Sequence, residues 1–224
     1  MPNLCFYEMR IHGKPENVRT LATWLNAGYR NVGIDEDAYI INDKNEKIPV
    51  EHHIGYRVFE AYKVSESDKD KQGNITAYIS GYCAWSIASC MFDGPWSYFT
   101  NVKNEINENK SLNKLQKKQA LKNRKAITIV DACKKLNVDV EIFSNESGMC
   151  LAEHYYINTK GVKEIDDCVD FEEICIEECS SYEQFVKDNP TANVSKDYYD
   201  SSECFIGVCD HLDENGMYKW QYVY

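Results

Sequence analysis

With 224 residues, 43% of them apolar and spread along the chain, the sequence has material for one packed core with decorations. A net charge of -11 opposes non-specific attraction to nucleic acid, and no apolar run reaches the roughly 20 residues that span a bilayer. Ten cysteines include no Cys-x-x-Cys pair, and the N-terminus lacks the basic-then-apolar pattern of a signal peptide; both predict free thiols in a reducing cytoplasm.

Leu4 to His12 alternates, with Cys5, Tyr7, Met9 and Ile11 on one side and Glu8, Arg10 and His12 on the other, which predicts a half-buried strand. Gly13 breaks it and Pro15 suits a first helical turn. Val18, Leu21, Ala22 and Leu25 then recur at helical spacing until Gly28. Asn42-Asp43-Lys44-Asn45 predicts a turn, with Ala38–Ile41 as one arm of a small hairpin. Arg57–Glu66, with Val58, Tyr62 and Val64 on one face, and Ile75–Trp85 form an antiparallel pair across a polar loop. On the second of these strands Ile75, Ala77, Ile79, Gly81, Cys83 and Trp85 share a face. Tyr78–Phe92 carries no charge and ends at Asp93-Gly94-Pro95, so it reads as a central strand passing into a short buried turn or helix.

Trp96–Ile106 predicts a helix burying Trp96, Phe99 and Ile106, followed by a lysine-rich solvated helix or linker. Ala126, Ile129, Val130, Cys133 and Leu136 share one face of a helix from Lys125 to Asn137, and Val138, Val140 and Ile142 alternate as the next strand. The order β-α-β-β-α-β predicts an α+β fold of ferredoxin-like type, an antiparallel sheet with two helices on one face. This core takes residues 1–147, with a helical insertion over about 86–125. Residues 148–224 read as an acidic extension of β-hairpins packed on the core. Cys150–Ile157 pairs with Val162–Cys168, a short helix covers Tyr182–Lys187, and Cys204–Cys209 pairs with Met217–Tyr224 around Asn215-Gly216.

Charge is segregated. Lys110, Lys114, Lys117, Lys118, Lys122, Arg124 and Lys125 are interrupted by no acid, whereas Glu164–Asp188 holds ten acids against Lys187 alone. Asp170, Glu172, Glu173, Glu177 and Glu178 are the candidate contacts with a basic partner, including a groove that otherwise holds nucleic acid. The lysine run has no interleaved aromatic residue, which disfavours direct nucleic-acid binding. Tyr218, Trp220, Tyr222 and Tyr224 project from one face of the last predicted strand, either as core or as an exposed binding stripe.

Met1-Pro2-Asn3-Leu4-Cys5, the strand ending at Gly13 and the helix from Pro15 resemble the YubB-type ferredoxin-like domain family of phage, plasmid and other mobile-element proteins. The resemblance extends to Gly81-Tyr82-Cys83-Ala84-Trp85-Ser86 and Ser147-Gly148-Met149-Cys150, touching about residues 1–168 at scattered points. It implies the same fold, no particular reaction or cofactor, and the setting of small non-enzymatic proteins that disable host defences.

Glu51-His52-His53 lacks a second pair of metal ligands, and Cys168, Cys175 and Cys179 lack zinc spacing, so neither a metal nor a cofactor is expected. Cys150 and His154 lie four residues apart on one predicted strand, about 13 Å at strand rise and beyond the reach of a nucleophile–base pair. The leading expectation is a cytoplasmic, non-enzymatic inhibitor of a host defence protein such as a CRISPR effector nuclease. The alternative is an enzyme or small-ligand binder with its site between the sheet and the C-terminal extension.

Overall fold

The period-2 pattern at the start of the chain becomes the middle of a sheet. The computed structural model describes residues 3–28, 39–95 and 97–222, and the backbone alone for Tyr98, Val102, Ser147 and residues 163–170. β1 (Leu4–Gly13) leads to α1 (Pro15–Gly28), then to short strands β2 (Tyr39–Ile41), β3 (Lys47–Pro49) and β4 (His53–Ile54). The long hairpin β5 (Val58–Glu66) and β6 (Ile75–Ala84) follows. Next come α2 (Ile87–Met91), α3 (Tyr98–Glu108), α4 (Lys114–Asn123), β7 (Ala126–Ile127), α5 (Ile129–Leu136) and β8 (Asp139–Glu146). The remainder holds β9 (Leu151–Asn158), β10 (Gly161–Asp170), β11 (Glu172–Cys175), α6 (Tyr182–Asp188), α7 (Lys196–Ser201) and β12 (Phe205–Val208).

The fold is mixed α+β around one antiparallel six-stranded sheet, ordered β10-β9-β8-β1-β6-β5. The boundary between residues 147 and 148 falls in the tight β8–β9 connection, inside this sheet. On one face Cys5, Tyr7, Met9, Ile11, Ile79, Val140 and Ile142 meet Val18, Leu21 and Leu25 of α1 and Ile129, Ala132 and Cys133 of α5 in one buried cluster. Amphipathic periodicity sufficed to assemble this layer. A smaller cluster joins Phe185, Val194 and Ile206 beneath β11 and β12.

Several elements depart from the sequence reading, each for a local reason. The fifth helix begins at Ile129, because the Thr128 hydroxyl caps Asp131 N and the preceding Ala126–Ile127 pairs in parallel with His53–Ile54. Asn137, left-handed at φ 51°, ends it. Register shifts between Val58 and Glu60, and between Lys63 and Ser65, break the alternation of β5, so Val58 is buried while Tyr62 and Val64 are exposed. Trp85 leaves the strand at φ 72° and is 53% exposed, not on the buried face of β6. Phe99 is buried and Ile106 half-buried, while Trp96 lies outside the described residues, as does Ala38. Among the described residues, the predicted hairpin of Cys204–Cys209 with Met217–Tyr224 does not form: β12 pairs with β11, and an isolated bridge, Leu212 to Tyr218, marks the later turn.

Candidate functional site

The second face of the sheet presents Phe6, Glu8, Arg10 and His12 from β1, Glu141 and Phe143 from β8, and His154 and Tyr156 from β9. Half of it is roofed. Residues 211–222 form a strap across β8 and β9, where Phe143 stacks on His154 and Tyr218 with ring centroids 3.8 and 4.7 Å apart. Tyr222 stacks on Tyr156 at 3.7 Å, and the Arg10 guanidinium lies 5.0 Å from the Trp220 ring centre. Burial, with the Glu8 charge nearby, pushes the Tyr218 hydroxyl well above its ordinary value.

Glu141 pins the strap. Its fully buried carboxylate accepts bonds from the main-chain N–H groups of Gln221 (2.8 Å) and Tyr222 (3.2 Å), and from His154 Nε2 (2.8 Å). A buried charge is tolerated when several donors surround it. Glu153, on the helix-covered face, is held likewise by Ile87 N, Ala88 N, the Ser144 hydroxyl and the Tyr155 hydroxyl. Both carboxylates act as structural acceptors.

The sequence-derived candidates divide. Glu172 and Glu173 stand on β11, and Glu177 and Glu178 just beyond it; all four are exposed and have no ion-pair partner among the described residues. The side chain of Asp170 lies outside the described residues. Tyr218, Trp220 and Tyr222 are half-buried, with the ring contacts already given, and Tyr224 lies outside the described residues. The structure does not bring Cys150 and His154 together: Cys150 is exposed at φ 50°, while the His154 ring is buried against Glu141. Lys114, Lys117 and Lys118 edge a shallow apolar recess between α3 and α4 with Leu112 and Leu121. Among the described residues, no group of three or more His, Cys, Asp or Glu could hold a metal ion, and no helix is long and apolar enough to cross a membrane.

The sequence reading missed the Glu141–His154 pair, since a charged residue in an alternating strand reads as solvent-facing. A signal was present: Ile142 and Phe143 are consecutive large apolar residues, the mark of a strand covered on both faces. Compared with family models, curated proteins and solved structures, the chain matches none.

Proposed function

We propose that this chain is a non-enzymatic binding protein whose acidic segment engages a basic surface of a protein partner. The observation that carries the reading is the exposed quartet Glu172, Glu173, Glu177 and Glu178, unneutralised among the described residues. Such a cluster steers association and suits a surface that otherwise accepts phosphates. The order β8-β1-β6-β5, with α1 and α5 on one face, supports a ferredoxin-like unit and agrees with the resemblance to mobile-element proteins. In that setting the partner is a host defence protein, and a CRISPR effector nuclease with a basic nucleic-acid groove is the leading example.

Binding to a panel of guide-loaded effector nucleases across a salt series, alongside inhibition of cleavage, tests this. Association is expected to slow as salt rises, and replacement of the four glutamates by glutamine should weaken binding and inhibition with little loss of stability. Binding that ignores both salt and the fourfold substitution would overturn the reading, as would absence of inhibition throughout the panel.

A further inference from the structure

The lysine run and the acidic segment each carry an apolar feature that the fold leaves open. The recess between α3 and α4 has a volume of about 520 Å³ and is lined by Leu112 and Leu121 with Lys114, Lys117, Lys118 and Asn107, none of them acidic. Lys117 is tied to the Asn107 carbonyl at 2.5 Å, whereas Lys114 and Lys118 are exposed and have no ion-pair partner among the described residues. An apolar space of about 150 Å³ suffices for a benzene-sized guest, so a phenyl ring enters the recess with room for the chain on either side. The matching feature lies on β11 and β12. Ile174 and Ile206 are paired and pack into the small cluster around Phe185, so strand alternation turns Glu173, Cys175 and Phe205 to the outer face. Phe205 is 59% exposed there, opposite Cys175. Acids frame it: Glu173 is two residues from Cys175, Glu203 two residues before Phe205, and the bond from Ile176 N to the Cys204 carbonyl (2.9 Å) brings Glu177 alongside. All three are exposed and without an ion-pair partner among the described residues. An aromatic knob framed by acids thus matches an apolar recess framed by lysines in shape and in sign. Since Phe205 is open to solvent, knob and recess do not meet within one chain.

We propose that the chain self-associates, with Phe205 of one copy seated in the α3–α4 recess of a second copy and Glu173, Glu177 and Glu203 meeting Lys114 and Lys118. Two copies carrying a net charge of -11 repel overall, so a contact needs a local patch of opposite sign, and the lysine run supplies it. Nucleic-acid phosphates satisfy the lysines but leave the leucines of the recess in water. A large apolar ring seated in a pocket and ringed by charge is the usual anchor of a protein contact. The contact joins unlike surfaces, which leaves a free recess on one copy and a free Phe205 on the other. It draws on acids that also serve the proposed basic partner, and so competes with that partner, but it does not rest on that reading.

Sedimentation velocity of the full chain over a concentration series reads the association, and the weight-average mass is expected to rise with concentration. Phe205→Ser, which removes the knob, and the pair Lys114→Glu with Lys118→Glu, which reverses the rim, should each weaken association at least about tenfold. Mixed in equal amounts, the two variants should form a one-to-one dimer, because the rim variant keeps its Phe205 and the serine variant keeps its recess. All three positions are exposed, and an amide NMR spectrum unchanged away from them will show that each variant is folded. A chain that stays monomeric to about 1 mM, association undiminished in either variant, or a mixture that remains monomeric would each overturn the proposal. So would a monomeric chain whose Leu112 and Leu121 signals respond instead to an oligothymidine, which would give the recess another occupant. No basic partner enters these measurements, so their failure leaves the effector-binding test untouched.

Discussion

The hydroxyl of Tyr7 donates a 2.8 Å hydrogen bond to the main-chain carbonyl of Glu60, two strands away, across Gly81. The register shift after Val58 turns that carbonyl inward, and the missing side chain at Gly81 lets the phenol through. A methyl group there would stand 2.0 Å from the Glu60 oxygen and 2.7 Å from the Tyr7 hydroxyl.

Gly81→Ala should therefore destabilise the protein by about 3 kcal/mol or prevent folding, as overpacking against main chain cannot relax. Tyr7→Phe should cost about 1–3 kcal/mol by leaving a buried carbonyl unpaired. Combining them should not restore stability, because the Glu60 oxygen still blocks the methyl. Urea unfolding of the three variants checks this, and recovery in the double variant would show that the phenol alone demands the glycine.

Glu141→Ala leaves two strap amides and a histidine ring without their acceptor, so a loss on the order of 3 kcal/mol is expected. Hydrogen exchange should accelerate at Gln221 and Tyr222 first. Protection unchanged there would mean that ring stacking, rather than the carboxylate, holds the strap.

The His53 ring is buried, and burial lowers its pKa from 6.5 to about 4. Between those values the unfolded chain takes up a proton that the folded chain refuses. Stability from this group is complete above pH 6.5 and declines as pH falls toward 4, by roughly 3 kcal/mol at most. Urea midpoints measured across that window should fall with pH, and His53→Phe should flatten the slope. An unchanged slope would assign it to other groups.

The thiols should react in order of access. Cys150 and Cys204 are exposed and should label first, whereas Cys5, Cys83, Cys90 and Cys133 are buried and should label only on unfolding. Burial pushes the Cys133 thiol far above its usual value, which removes the reactive thiolate. Mass spectrometry after timed alkylation reads the order, and early labelling of Cys133 would contradict its burial.

The helix-covered layer was legible from spacing alone: Leu21 and Leu25 of α1 and Ile129 and Cys133 of α5 are buried against the β1 residues that alternate with Glu8 and Arg10. What escaped depends on contacts distant in sequence. Nothing local shows that Tyr62 is displaced by a bulge, or that Phe205–Val208 prefers Glu172–Cys175 to the Asn-Gly turn that follows it. The acidic quartet was legible because charge density needs no partner to be seen.

The strap has a kinetic consequence. Its anchor amides lie 80 and 81 residues from Glu141, so the roof closes only after a long stretch of chain has been gathered. Closure over such a span costs entropy that grows slowly with length, but the search is slow, and contacts this remote form after local hairpins. Until then Phe143, His154 and Glu141 face water on a β8–β9 hairpin that is already paired. Refolding should accordingly show two stages, an early one that protects the β8 and β9 amides and a later one that protects Gln221 and Tyr222.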